Sequence, residues 1–268
     1  MFSYNIGMLR ALLLYLLLSA AALCQENYEI QVYGSETVAP GITMVELHTN
    51  FTFSGSKRLV DGMFPTQHAV HETLEITHGW NDWFETGFYV FTSENRGYGW
   101  QWVGDHIRPR VRAPETWKWP VGVSLSAEIG YQRAQYSADT WTLELRPIID
   151  KKIDKWYLSF NPTVDRSFHG PGVSSGVVFS PNFKVAYDVT KKVQFGLEYY
   201  GSVGRIDGFD PFREQQQQFI PAIDINFGEN WEFNAGVGIG VTQATDHLIL
   251  KFIVGRRFSF GGKPAPKH

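Results

Sequence analysis

Residues 121–131 read VGVSLSAEIGY, with Val121, Val123, Leu125, Ala127, Ile129 and Tyr131 on one side of an extended chain and Gly122, Ser124, Ser126, Glu128 and Gly130 on the other. Strict alternation is the period of a β-strand, whose successive side chains point to opposite faces. Residues 231–241 repeat it, setting Trp231, Phe233, Ala235, Val237, Ile239 and Val241 against Glu232, Asn234, Gly236, Gly238 and Gly240. Residues 177–187 alternate again, with Val177, Phe179, Pro181, Phe183, Val185 and Tyr187 opposite Ser180, Asn182, Lys184 and Ala186. Further windows open near Thr43, Gln67, Asp82, Tyr98, Thr140, Trp156, Lys192, Gln218 and His247. Together they predict about twelve strands of roughly 10 to 13 residues, well beyond the usual soluble strand of about five or six. A tilted strand needs roughly 9–11 residues to cross a bilayer.

The connections alternate as well. One set is short: Gly79-Trp80-Asn81, DKKIDK at 150–155, DVTKK at 188–192 and Gly228-Glu229-Asn230. The other is longer and richer in glycine and charge, at 54–65, 166–176 and 201–217. Short periplasmic turns facing long external loops are the asymmetry of outer-membrane barrels. Residues 113–120, with two prolines and two tryptophans, break the pattern and are expected at the periplasmic rim. Alternation alone does not separate this from a β-sandwich or lipocalin-like barrel, in which the apolar face would point inward.

Composition alone points elsewhere. Hydrophobic residues make up 43% of the 268, charged residues 19% and aromatics 15%, and 24 Lys+Arg against 27 Asp+Glu give a net charge of −3. That balance excludes a disordered polyelectrolyte and argues against a nucleic-acid partner. A mean hydropathy of −0.21 suggests a soluble domain. An alternating strand explains the same average, because an apolar outer half is offset by a polar inner half. Trp80, Trp83, Trp117, Trp119, Trp141, Trp156 and Trp231 fall near expected strand ends, where a ring with one polar handle suits the membrane–water interface.

The N-terminus carries ALLLYLLLSAAAL at 11–23 behind Arg10. A basic start, a short leucine-rich run and small residues describe a secretory signal, expected over residues 1–24 with cleavage after Cys24. The run falls short of the roughly 20 residues of a membrane helix. Lipidation of Cys24 is the rival outcome, but a lipobox wants a small residue where Leu23 stands. Cys24 is the only cysteine, so the mature chain has no disulfide to hold it. Residues 25–41 are expected as a periplasmic arm or a lumen plug, 42–260 as the barrel, and 261–268 as a short tail.

The chain's last strand ends Gly255-Arg256-Arg257-Phe258-Ser259-Phe260. This resembles the C-terminal assembly signal of bacterial outer-membrane barrels, a glycine followed by alternating aromatic positions ending in Phe, although Val254 stands where a polar residue is usual. Gly255, Phe258 and Phe260 are the signal residues. The resemblance implies an all-β, antiparallel up-and-down transmembrane β-barrel in a Gram-negative outer membrane. Its implied partners are outer-membrane lipid and lipopolysaccharide, the barrel-assembly machinery and small solutes. More loosely, the barrel pattern over most of the chain is similar to outer-membrane transporters associated with phenol meta-pathway degradation.

Candidate chemistry gathers on residues 105–112. His106, Arg108, Arg110 and Arg112 share a face opposite Ile107 and Val111. Arginine facing the bilayer midplane costs roughly 2–4 kcal/mol, so these four are expected to line the lumen. Pro109 removes a ladder donor and predicts a local irregularity. Glu128, Glu144, Arg146, Lys184 and Glu198 are expected inward beside them, with Glu46, Glu75, Glu85 and Asp224. They form either a rigidifying ion network or an arginine-lined pore facing carboxylates. His68-Ala-Val-His71-Glu72 has ligand-like spacing, but residues three apart on a strand face opposite ways. Residues 236–240 (GVGIG) read as lumen-side room for larger neighbours rather than a phosphate loop. Ser124 and Ser126 lack an evident histidine partner. No cofactor, metal or catalytic site is therefore expected. Passive passage of small solutes is the functional expectation, with a closed structural or surface-interaction barrel as the alternative.

Overall fold

The computed structural model describes residues 28–260; the leader, Cys24 and the 261–268 tail lie outside them. Twelve long strands follow one another in chain order: β1 (Ile42–Ser54), β2 (Val70–Asn81), β3 (Phe84–Asn95), β4 (Gly99–Arg112), β5 (Gly122–Gln132), β6 (Trp141–Ile153), β7 (Trp156–His169), β8 (Val177–Asp188) and β9 (Val193–Ser202), then β12 (Gln216–Phe227), β13 (Trp231–Gly240) and β14 (Leu248–Ser259). Between β9 and β12 lie two short pieces, β10 (Gly204–Arg205) and β11 (Gly208–Phe209). Every long strand pairs antiparallel with its neighbour, and β1 pairs with β14 from Ile42↔Ser259 to Ser54↔Leu248. That seam closes the sheet on itself, leaving no free edge in the wall. No helix among the described residues is long and apolar enough to cross a membrane; the crossing elements are strands.

The two faces separate as the pattern requires. Leu125 and Ile129 point outward and are 46% and 40% exposed, while Ser124, Ser126 and Glu128 on the opposite face of the same strand are buried. The apolar face is thus the outer one, which excludes the soluble sandwich. Tryptophans ring both ends of this belt: Trp80, Trp83, Trp117, Trp119, Trp156 and Trp231 at one, Trp100, Trp102 and Trp141 at the other, all exposed.

Tight turns at the first end follow from local chemistry. Asn81 Oδ1 accepts the Trp83 amide at 3.0 Å, so the β2–β3 turn sits at Asp82-Trp83, slightly beyond the expected Gly79–Asn81. Asp154 takes a positive φ of 52° in the two-residue β6–β7 turn, a conformation Asp tolerates. A single 3-10 turn, Glu115–Trp117, occupies the irregular β4–β5 connection. At the opposite end the residue 203–215 loop folds back, and β10 pairs with β8 at Gly204↔Phe179. The 170–176 loop starts later than expected, because β7 stays extended through His169. Beside Pro109 the β4–β5 ladder passes from Ile107↔Ile129 to Arg110↔Ser126, while β3 keeps its register at Thr86↔Pro109.

Candidate functional site: the barrel lumen

The inner wall carries three groups of paired charges. On β4, Arg108 Nη2 meets Glu75 Oε1 at 2.7 Å and Nη1 meets Glu85 Oε1 at 3.3 Å, while Arg110 Nη2 reaches Glu85 Oε1 at 2.7 Å. Gly87, opposite Arg108 on β3, leaves that guanidinium its space: a Cβ there would stand 3.2 Å from Nη2. His106 Nδ1 lies 2.6 Å from Glu128 Oε1, and Arg146 Nε lies 2.7 Å from Glu144 Oε1. Across the barrel Glu198 binds Lys251 at 2.5 Å and Lys184 at 3.1 Å, and Lys184 also reaches Asp224 at 2.7 Å. Arg112 stands at the turn-end rim, paired at 2.7 Å with the exposed Glu115. The nine expected lumen residues therefore do not form one track: they divide among three networks and a rim.

Residues 28–35 pack along the inner wall of the barrel, and 36–41 continue to its more exposed turn end. Apolar positions two apart, Ile30 and Val32, pack against inward Tyr200, Ile220, Ala222 and Ile249. Tyr28 packs on Tyr89, Phe91 and Val103 of the facing wall. At these positions the polar inner half is interrupted by apolar side chains, and their partner is this segment. The wall also holds its backbone: the Tyr33 amide donates to Asn161 Oδ1 at 2.9 Å, the Ser159 hydroxyl donates to Tyr33 O at 2.6 Å, and Thr73 donates to Tyr28 O at 2.7 Å. Arg110 donates to Gly34 O at 3.1 Å and to Glu36 O at 2.7 Å. The Tyr33 ring lies 4.9 Å from the guanidinium carbons of both Arg108 and Arg146, and its hydroxyl donates to Glu29. Ser35 donates to Asp150 Oδ1 at 2.6 Å nearer the turn end.

The segment thus descends from the loop half towards the turn end, where Ala39-Pro40-Gly41-Ile42 reverses it into β1. Proline is second in this turn, Gly41 third with φ +71°, and the Ile42 amide donates to Ala39 O at 3.0 Å, as a type II turn requires. On its loop side lies a cavity of about 240 Å³ lined by Tyr28, Glu29, His106, Glu128, Glu144 and Arg146 among others. On its turn side lies another of about 680 Å³, lined by Ser35, Glu36, Arg112, Asp150 and Tyr157 among others.

Sequence reasoning passed over two clusters. Glu46, His48 and Glu75 offer three buried ligand atoms within 4.8 Å of one another, on β1 and β2. Such oxygens and an imidazole suit a divalent ion, but the Arg108 guanidinium already occupies Glu75 and repels a second cation. His71 Nδ1 lies 3.1 Å from Ser93 Oγ, a serine–histidine contact the sequence did not suggest. The single Ser93 hydroxyl proton has Asn95 Oδ1 and Val70 O as alternative acceptors, and among the described residues no acid orients His71 Nε2 as in an acyl-transfer triad. Cross-strand register could have exposed the first cluster, since Glu46 faces Glu75 directly. Residues 236–240 do make room: a Cβ at Gly236 would meet Ile220 Cγ2 at 2.6 Å.

A family model described as "Putative MetA-pathway of phenol degradation" matches residues 115–250, from the β4–β5 connection into β14. The chain belongs to this family. No curated protein sequence matches it. The phenol-degradation family assignment agrees with a fold shared by solved outer-membrane barrels. The COG4313 outer membrane channel from Pseudomonas putida F1 superposes with a TM-score of 0.55 at 13% identity, over 86% of this chain and all of that one. The NanC porin superposes with a TM-score of 0.54 at 9% identity, over 81% of this chain and all of its own. At such identities the likeness is one of fold.

Proposed function

We propose that the protein is a passive channel for small solutes in a Gram-negative outer membrane, occluded at rest by residues 28–41. The observation that carries this reading is the nature of the obstruction. Two cavities open towards opposite ends, and between them the chain's own extended segment lies across the Arg108 and Arg110 ion pairs, held by hydrogen bonds and packing. A segment so held can shift without breaking the wall. The tight turns face the periplasm and the long loops face outward, as is usual for such barrels. Lipid and lipopolysaccharide contact the outer belt, and Gly255, Phe258 and Phe260 present the assembly signal to the barrel-assembly machinery.

No catalytic role is assigned. The second reading, a closed structural or surface-interaction barrel, draws on the tight fit of Ile30 and Val32 against the wall. Planar-bilayer recording of the refolded full chain separates the two. Discrete conductance steps that become more frequent in Arg110→Ala support the channel. A heat-modifiable, folded protein without steps, in parent and variant alike, would leave the structural barrel.

A further inference from the structure

The loop-side cavity has a charge and a wall chemistry unlike the arginine-rich middle of the lumen. Five carboxylates face it, Glu29, Glu128, Asp139, Glu144 and Asp165, against one guanidinium, Arg146. That guanidinium is shared, at 3.4 Å from Glu29 and 2.7 Å from Glu144. Asp139 is held by neutral donors, the Ser167 hydroxyl at 2.7 Å and the Gly172 amide at 2.8 Å, which stabilise its charge without cancelling it. Arg108 and Arg110 do not line this cavity; Glu75, Glu85 and the segment backbone engage them below it.

A second observation points to an occupant. Glu128 is 6% exposed and spends Oε1 on His106, leaving Oε2 buried without a partner on the cavity wall. Gln216, 2% exposed on the same wall, has neither end of its amide partnered. Buried polar atoms are normally satisfied, and each exception calls for an explanation. Tyr28 and Tyr200 add aromatic surface, which attracts a desolvated cation.

We infer that this chamber is a binding site for small organic cations, ammonium-bearing aromatics above all. The inference rests on the channel reading, for it names the class of solute that reading admits. The ammonium takes Glu128 and its carboxylate neighbours, the ring lies against the tyrosines, and Gln216 meets a polar substituent. A carboxylate solute of the same shape meets the surplus of like charge and is rejected.

Calorimetric titration of the refolded full chain in detergent with tyramine and with 3-(4-hydroxyphenyl)propionate, similar in shape and opposite in charge, tests it. Tyramine is expected to bind at least tenfold more tightly, and Glu128→Gln to weaken it about tenfold with heat-modifiable migration retained. Asp165→Asn, on β7 rather than β5, supplies the same test should the first variant fail to fold. Equal binding of both probes, binding of neither, or tyramine affinity unchanged in the folded variants would overturn the inference. Bilayer recording of the same preparation keeps the two proposals apart. Conductance without probe discrimination sinks this one alone, and tyramine binding without conductance sinks the channel.

Discussion

Glu85 and Arg110 face each other across β3 and β4, 2.7 Å apart and buried, and both also hold the N-terminal segment. Arg110 donates to Gly34 O and Glu36 O, and Glu85 Oε2 accepts the Val38 amide at 2.6 Å. One ion pair therefore joins the wall to what fills it. Arg110→Ala strips the segment of two charged donors and leaves Glu85 with the longer contact to Arg108. Breaking a buried pair from one side costs about 3 kcal/mol. The expected result is a lowered urea midpoint together with more frequent channel opening; a midpoint shift without a change in opening would detach the segment from gating.

Lys251 and Glu198 form a second buried pair, at 2.5 Å, with Tyr200 donating to the same carboxylate at 2.7 Å. Lys251→Met should destabilise the barrel by about 3 kcal/mol, because Glu198 keeps only Lys184 as a cationic partner. Adding Glu198→Gln should recover a large part of that loss, since the double variant no longer buries the under-compensated charge. Equilibrium unfolding of parent, both singles and the double reads the coupling directly.

Gly130 faces His106 across β4 and β5, and a Cβ there would stand 2.0 Å from His106 Cδ2. Gly130→Ala must push the imidazole away from Glu128. Overpacking of this kind costs about 1–3 kcal/mol. Loss of tyramine binding is expected alongside, because the same displacement frees Glu128 from its present orientation.

The two faces differ in what they tolerate. Leu125→Arg places a guanidinium on the exposed apolar belt and should cost about 2–4 kcal/mol in folding into liposomes, whereas Trp80→Arg at the rim should cost about 0–1. Equal costs at both positions would contradict a membrane-facing belt with aromatic margins.

Alternation was sufficient to predict the strands. β5, β13 and β8 fall on their windows to within a residue because period two is imposed by backbone geometry and needs no knowledge of neighbours. What occupies the lumen was harder to read. Period two says which residues share a face, and inward Tyr89, Phe91, Ile220 and Ile249 broke the polar pattern without showing why. Their reason is Tyr28, Ile30 and Val32, far away in sequence and too few to stand out as a strand. His48 and Ser93 went unremarked for a related cause: each gains meaning only from a cross-strand neighbour, Glu75 and His71 respectively. The basic face of β4 was legible as inward; its division among Glu75, Glu85, Glu128 and the segment backbone depends on register, which the sequence does not print.

The turn at Pro40-Gly41 joins the lumen segment to β1, and β1 is one side of the seam against β14. Depth in the lumen and alignment at the closure are therefore one variable. A slip of β1 by a single residue would turn its inward face outward and drag Tyr33 about 3.3 Å past Asn161 and Ser159. The segment acts as a gauge of closure: its contacts are satisfied only when the first and last strands are correctly matched.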